Sequence, residues 1–169
     1  MQLYKFFVLK TPEDLLRKLE RECNRWKADP LNVDFAWNFF ITAEHLPDWV
    51  YYQDMPTSGK ERPDLLDGET PYEFKMALKR PVLRICSHLA NGAKHFHLRN
   101  SNLASVASMH ERPRAFFEPG AFIEGFFEPP ALMVDLAPDE QRALSLAEPL
   151  IEALSLASDV LAFWQARLP

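Results

Sequence analysis

Apolar residues recur at three- and four-residue steps along most of this chain, which is the signature of amphipathic helices. Thr11-Pro12-Glu13-Asp14 opens the first of them, with a hydroxyl cap, a proline at the first helical position and acids in the first turn. Leu15, Leu16, Leu19, Cys23 and Trp26 form its apolar stripe, and Asp29-Pro30 closes it. A second helix is expected from about Asp34 to Tyr52. It is apolar nearly all round, which marks a central element. Asn38, Thr42, His45 and Trp49 line up along it, with Asp48 one turn past His45. Pro47 lies inside it and is expected to kink or divide it, because proline lacks the N–H that would bond the carbonyl of Ala43.

Three breakers, Pro56-Thr-Ser-Gly59, Pro63 and Asp67-Gly68, predict a mobile surface loop over about 53–69. Thr70-Pro71-Tyr72-Glu73 is a capping box that starts a helix running to Arg80. Across Pro81 comes the most informative stretch. Val82, Ile85, Cys86, Leu89, Ala93 and Phe96 build one face. At about 100° per residue, Arg84, His88, Asn91 and His95 build a polar stripe opposite, at i, i+4, i+7 and i+11. Gly92 predicts that this helix ends near Asn91-Gly92, with Lys94 and His95 in the following turn.

The first ten residues read as a short strand or arm, and residues 100–108 as a loop or short helix. Short aromatic and β-branched runs between Ala115 and Leu136, punctuated by Pro119-Gly120 and Pro129-Pro130, predict a β-hairpin over about 115–136. Pro138-Asp-Glu-Gln opens a last helical region, with the long final helix starting at Pro149. Ala147, Leu150, Leu154, Ala157, Leu161, Trp164 and Leu168 mark its packed face. The expected fold is therefore mainly α: a single domain over 1–169, a bundle of four or five helices, with a β-hairpin inserted before the C-terminal helix.

Composition narrows the function classes. With 169 residues the chain is long enough to bury a real core as one domain. A net charge of −5 supplies no positive field to steer duplex DNA or an anionic membrane, so neither is expected as a partner. No run is long enough to span a bilayer. Cys23 and Cys86 lack metal-type spacing and sit on apolar stripes, as buried free thiols of a cytoplasmic protein would.

The segments His45-Leu-Pro-Asp48-Trp49, Asn91-Gly-Ala-Lys94-His95 and Val160-Leu-Ala-Phe-Trp164 resemble a family of small bacterial and phage helical proteins. Those carry His-x-x-Asp-Trp and Asn-x-x-Lys-His motifs, and the resemblance brings no activity with it. More loosely the layout resembles HEPN domains, which are helical, often dimeric and in many cases ribonucleases. Their hallmark is an arginine followed by a histidine after four to six residues. Arg84 to His88 falls short of that spacing, and Arg84 to His95 exceeds it.

Three functional readings follow. Arg84, His88, Asn91, Lys94 and His95 can form an RNA-cleaving set, in which imidazoles move protons and a guanidinium stabilises phosphorane charge across a homodimer. Such a protein would act on RNA or on a protein partner in a defence or toxin-like setting. Alternatively, His45, Asp48, His88 and His95 on two facing helices can offer Zn²⁺ or Fe²⁺ a ligand set. The third reading is an interaction or adaptor protein without catalysis, in which the polar stripe fixes helix register.

Overall fold

The computed structural model describes residues 8–53, 80–94, 105–112 and 130–168, apart from the side chains of 93 and 94. Helix α1 spans Pro12–Ala28, α2 Val33–Gln53 and α3 Pro81–Lys94. Strands β1 (Val106–Glu111) and β2 (Leu132–Leu136) follow. Then come the short helix α4 (Pro138–Ala143), strand β3 (Leu150–Glu152) and the C-terminal helix α5 (Ala153–Arg167). The described residues thus hold five helices and a three-stranded antiparallel sheet of order β1-β2-β3, a mainly α fold.

Helix α1 starts where its capping box places it. Asp14 N–H donates to Thr11 Oγ1 at 3.2 Å, and the Asp14 carboxylate accepts from the backbone N–H groups of Lys10 and Thr11. The Lys10 N–H, then the Arg17 guanidinium and the Thr11 N–H, hold the Asp14 carboxyl down at about 2. Leu15, Leu16, Leu19, Cys23 and Trp26 are buried as one stripe. Each such side chain contributes roughly 1.5–3 kcal/mol on leaving water. Trp26 packs against Phe39 and Phe40 with ring centroids 6.0 and 5.7 Å apart, and its indole N–H donates to the carbonyl of Pro30. That bond anchors the connection between α1 and α2. Lys18 on α1 bridges Glu22 and, across the interface, the hydroxyl of Thr42.

Pro47 does not divide α2, which is helical from Val33 to Gln53. The proline is buried, with Leu46 and Val50 of the same turn also in the core. Packing on both sides of the break outweighs the one lost backbone bond. Helix α3 likewise runs past Gly92 to Lys94. Its apolar side enters the core through Ile85, Cys86 and Ala90, and the thiol of Cys86 sits 3.7 Å from the carbonyl of Phe40. Both cysteines are free and buried.

The sheet departs from the expected hairpin. Its first strand is Val106–Glu111, which overlaps the segment expected to be loop or short helix. It pairs with β2 from Val106↔Leu136 to Glu111↔Leu132, and the register breaks between Val106 and Ser108. The Val-Ala-Ser-Met-His-Glu sequence has little strand propensity of its own. Pairing with the apolar β2 supplies what propensity lacks. The third strand replaces what Pro149 suggested was the start of a helix. Pro149 lies in a bend just before β3, its carbonyl accepts the Leu136 N–H at 2.8 Å, and the helix begins four residues later at Ala153. As a result the packed face of α5 is Ala153, Leu156, Ala157, Val160 and Trp164, with Leu154 and Leu161 at its edge. Val134 of β2, Leu19 of α1 and Ile85 of α3 lie in the same core. The expected mobile loop beyond Gln53, the helix from Thr70 and the aromatic runs at 115–127 lie outside the described residues. Among the described residues no helix is long and apolar enough to cross a membrane.

Candidate functional site

Two residues of the α3 polar stripe, Arg84 and His88, face α4 and the start of β1. Arg84 donates through Nε and Nη2 to the two carboxylate oxygens of Glu140, at 2.9 and 2.8 Å. This fork-to-fork pair joins the first turns of α3 and α4. It holds the guanidinium pKa above its ordinary value, through the Glu140 bond against the effect of burial. Glu140 is 5% exposed and accepts a third bond, from the hydroxyl of Ser105 at 2.9 Å. One turn further along α3, His88 Nδ1 accepts the backbone N–H of Ser105 at 2.9 Å and of Val106 at 3.0 Å. The Ser105 carbonyl in turn accepts the Ala137 N–H. Ser105 is therefore held through its N–H, its hydroxyl and its carbonyl, just where β1 begins.

An acceptor Nδ1 fixes the ring of His88 as the neutral tautomer with its proton on Nε2. Burial pushes this imidazole below its ordinary pKa, which favours the same form. Nε2 has no hydrogen-bond partner among the described residues. Asn91 turns back along its own helix and donates to the Ser87 carbonyl at 2.9 Å. Lys94 closes α3, and His95 lies outside the described residues.

The proposed metal set is only partly described. His45 is exposed on α2, Asp48 is half-buried one turn later, and His88 is buried with Nδ1 engaged. Among the described residues no three His, Cys, Asp or Glu side chains stand together in a way that could hold a metal ion.

Beside His88 lies an open groove of about 280 Å³. Helix α2 lines it with Val33, Ala36, Trp37 and Phe40. Helix α3 contributes His88, Leu89 and Gly92, and β1 supplies the residues from Val106 to Met109. The lining is apolar except for His88 and Ser108. Val33 and Trp37 are 52% and 45% exposed, an unusual state for an indole at the mouth of an apolar hollow. Gly92 is exposed, and a Cβ built on it meets nothing within 4 Å. Along the groove runs β1, an edge strand among the described residues. Arg112 N–H donates to Ala131 on the β2 side, so the backbone groups of Met109 and Glu111 point the other way.

On the opposite sheet face Asp135 accepts from the Ser108 hydroxyl and lies 3.2 Å from His110 Nδ1. The carboxylate stands between hydroxyl and imidazole. The serine proton is therefore directed to the acid and not to the base, which is not the relay of a serine hydrolase.

Sequence reasoning missed Ser105, Glu140 and Trp37. Glu140 has the appearance of an ordinary first-turn acid, and Ser105 lies in a Ser- and Ala-rich run. Trp37 is one of many apolar residues on α2. No family model, curated protein or solved structure matches the chain.

Proposed function

We propose that this chain is a cytoplasmic interaction protein whose groove, bounded by α2, α3 and β1, receives an extended segment of a protein partner. The observation that carries the reading is the exposed indole of Trp37 at the mouth of the groove, next to the edge that β1 presents among the described residues. A partner strand adding to β1 would satisfy the outward backbone groups of Met109 and Glu111, and an apolar side chain of that strand would fill the hollow. Asp34 and Glu111 are exposed and have no ion pair among the described residues, and the whole chain is acidic. The partner segment is accordingly apolar at its centre and flanked by lysine or arginine. Buried, free Cys23 and Cys86 fit a reducing compartment.

RNA is the competing class. An exposed indole can stack a base, but these carboxylates repel phosphate. A ribonuclease centred on Arg84 and His88 draws no support from their surroundings, where both are committed to Glu140 and to the start of β1.

The test is affinity capture from cells with wild type, Trp37→Glu and Gly92→Gln, each checked for unchanged circular dichroism. Gly92→Gln adds a side chain whose Cβ meets no heavy atom within 4 Å. The expected result is a protein recovered with wild type and lost with both variants. If the captured material is RNA, or a protein retained equally by both variants, the reading is wrong. A second copy of this chain as occupant would show in sedimentation velocity as a dimer that both variants dissociate.

A further inference from the structure

Two successive backbone N–H groups, from Ser105 and Val106, converge on the single lone pair of His88 Nδ1 at 2.9 and 3.0 Å. That geometry exists only while Nδ1 is bare. An imidazolium carries a proton on both nitrogens and has no acceptor, so no rotation of the ring restores either bond. We propose that His88 is a proton-released latch: adding one proton to its ring uncouples the start of β1 from α3 and opens the β1 wall of the groove.

Among the described residues no carboxylate is placed to compensate an imidazolium at His88. On its own helix the nearest charged group is Arg84, one turn back. On α4 it is Glu140, which meets His88 only through Ser105 and is already neutralised by Arg84 at 2.8 Å. The α2 wall contributes Ala36, Trp37 and Phe40, and the neighbouring part of β1 Val106 to Met109, none of them charged. Further along β1, His110 and Glu111 are exposed, and His110 faces Asp135 on the other side of the sheet. Burial holds the imidazole neutral at ordinary pH, so acid is needed to trip the latch.

The strand is built to give way locally. Its register breaks between Val106 and Ser108, which leaves Ala107 outside the regular ladder. The pairs from Ser108 to Glu111 hold β1 to β2 beyond that point. Before it, Ser105 stays tied through its carbonyl to Ala137 and through its hydroxyl to Glu140. Between these anchors lie Ala107, which has no partner in the ladder, and Val106, which is paired to Leu136, and both line the groove.

The effect on partner binding rests on the groove reading above, but the latch itself is measured without a partner. The experiment is amide hydrogen exchange by nitrogen-15 NMR on the full chain between pH 7.5 and 5, with the His88 ring followed in the same samples. After correction for intrinsic exchange, protection at Ser105 and Val106 is expected to fall roughly tenfold or more, with a midpoint that tracks His88. Val134, in the core of β2, should not respond. In His88→Asn the side-chain oxygen takes the place of Nδ1 and cannot titrate, so protection should stay level across the range. Equal protection at Ser105 and Val106 on both sides of the His88 titration overturns the latch. So does an unchanged pH response in His88→Asn. The wild-type titration decides alone if that variant does not fold. If the groove reading fails while the latch holds, the amides respond to acid but capture is indifferent to Trp37→Glu.

Discussion

Removing the Glu140 carboxylate tests whether the polar stripe of α3 is a structural seam. In Glu140→Ala, Arg84 loses two charge-assisted bonds of 2.9 and 2.8 Å, and the Ser105 hydroxyl loses its acceptor. Bonds to charged groups contribute about 1.5–3 kcal/mol each. The Arg84 side chain is 30% exposed, so water recovers part of what the guanidinium loses. Screening by that water brings the pair below the sum of two such bonds, to about 2 kcal/mol, and the neutral hydroxyl adds about 1 kcal/mol. The total, about 3 kcal/mol, should appear in urea denaturation as a lower midpoint with an unchanged slope. In a chain of this size it corresponds to a fall in Tm of roughly 6–12 °C. Arg84→Met should cost at least as much as Glu140→Ala, because it leaves a carboxylate that is only 5% exposed without its cation, and the double variant should cost less than the sum. A Glu140→Ala protein within 0.5 kcal/mol of wild type, a margin of roughly the size expected for neutral surface changes, would refute the seam.

Acid should weaken the fold through His88. Its folded pKa lies below the ordinary 6.5, so the unfolded chain binds the proton first. The neutral form's contribution is complete above about 6.5 and declines as the pH falls through that value toward the depressed folded pKa, and His88→Asn should flatten this arm of the stability profile. Thr11→Ala removes the cap acceptor for Asp14 N–H and should cost about 1 kcal/mol in thermal melts. Phe39→Ala empties a fully buried position between Trp26 and Phe40, and should cost about 3–5 kcal/mol in the same denaturation assay.

The parts of the fold legible in the sequence are those decided locally. Thr11-Pro12-Glu13-Asp14 carries its own capping bonds, and the stripe from Leu15 to Trp26 needs only one period, so α1 emerges almost residue for residue. The parts that were not legible depend on partners distant in the chain. Val106–Glu111 becomes a strand because β2 lies alongside, and Leu150–Glu152 because β2 has a second edge to fill. Pro47 stays helical because its turn is packed. The same distinction holds at the site. Spacing placed Arg84 and His88 on one stripe, and their chemistry was read as a reason to expect a ligand. Their partners, Glu140 and Ser105, lie 56 and 17 residues away and carry no motif. The groove was invisible for a similar reason, since an exposed Trp37 cannot be told from its buried neighbours on an all-apolar helix.

The protonation state of one ring tests the central claim most directly. Long-range nitrogen-15 correlation at pH 7.5 should show His88 as the neutral tautomer, with Nδ1 bare and accepting and the proton on Nε2. A proton on Nδ1, or an imidazolium at that pH, would contradict the account, because the Ser105 and Val106 N–H groups would then have no acceptor on His88.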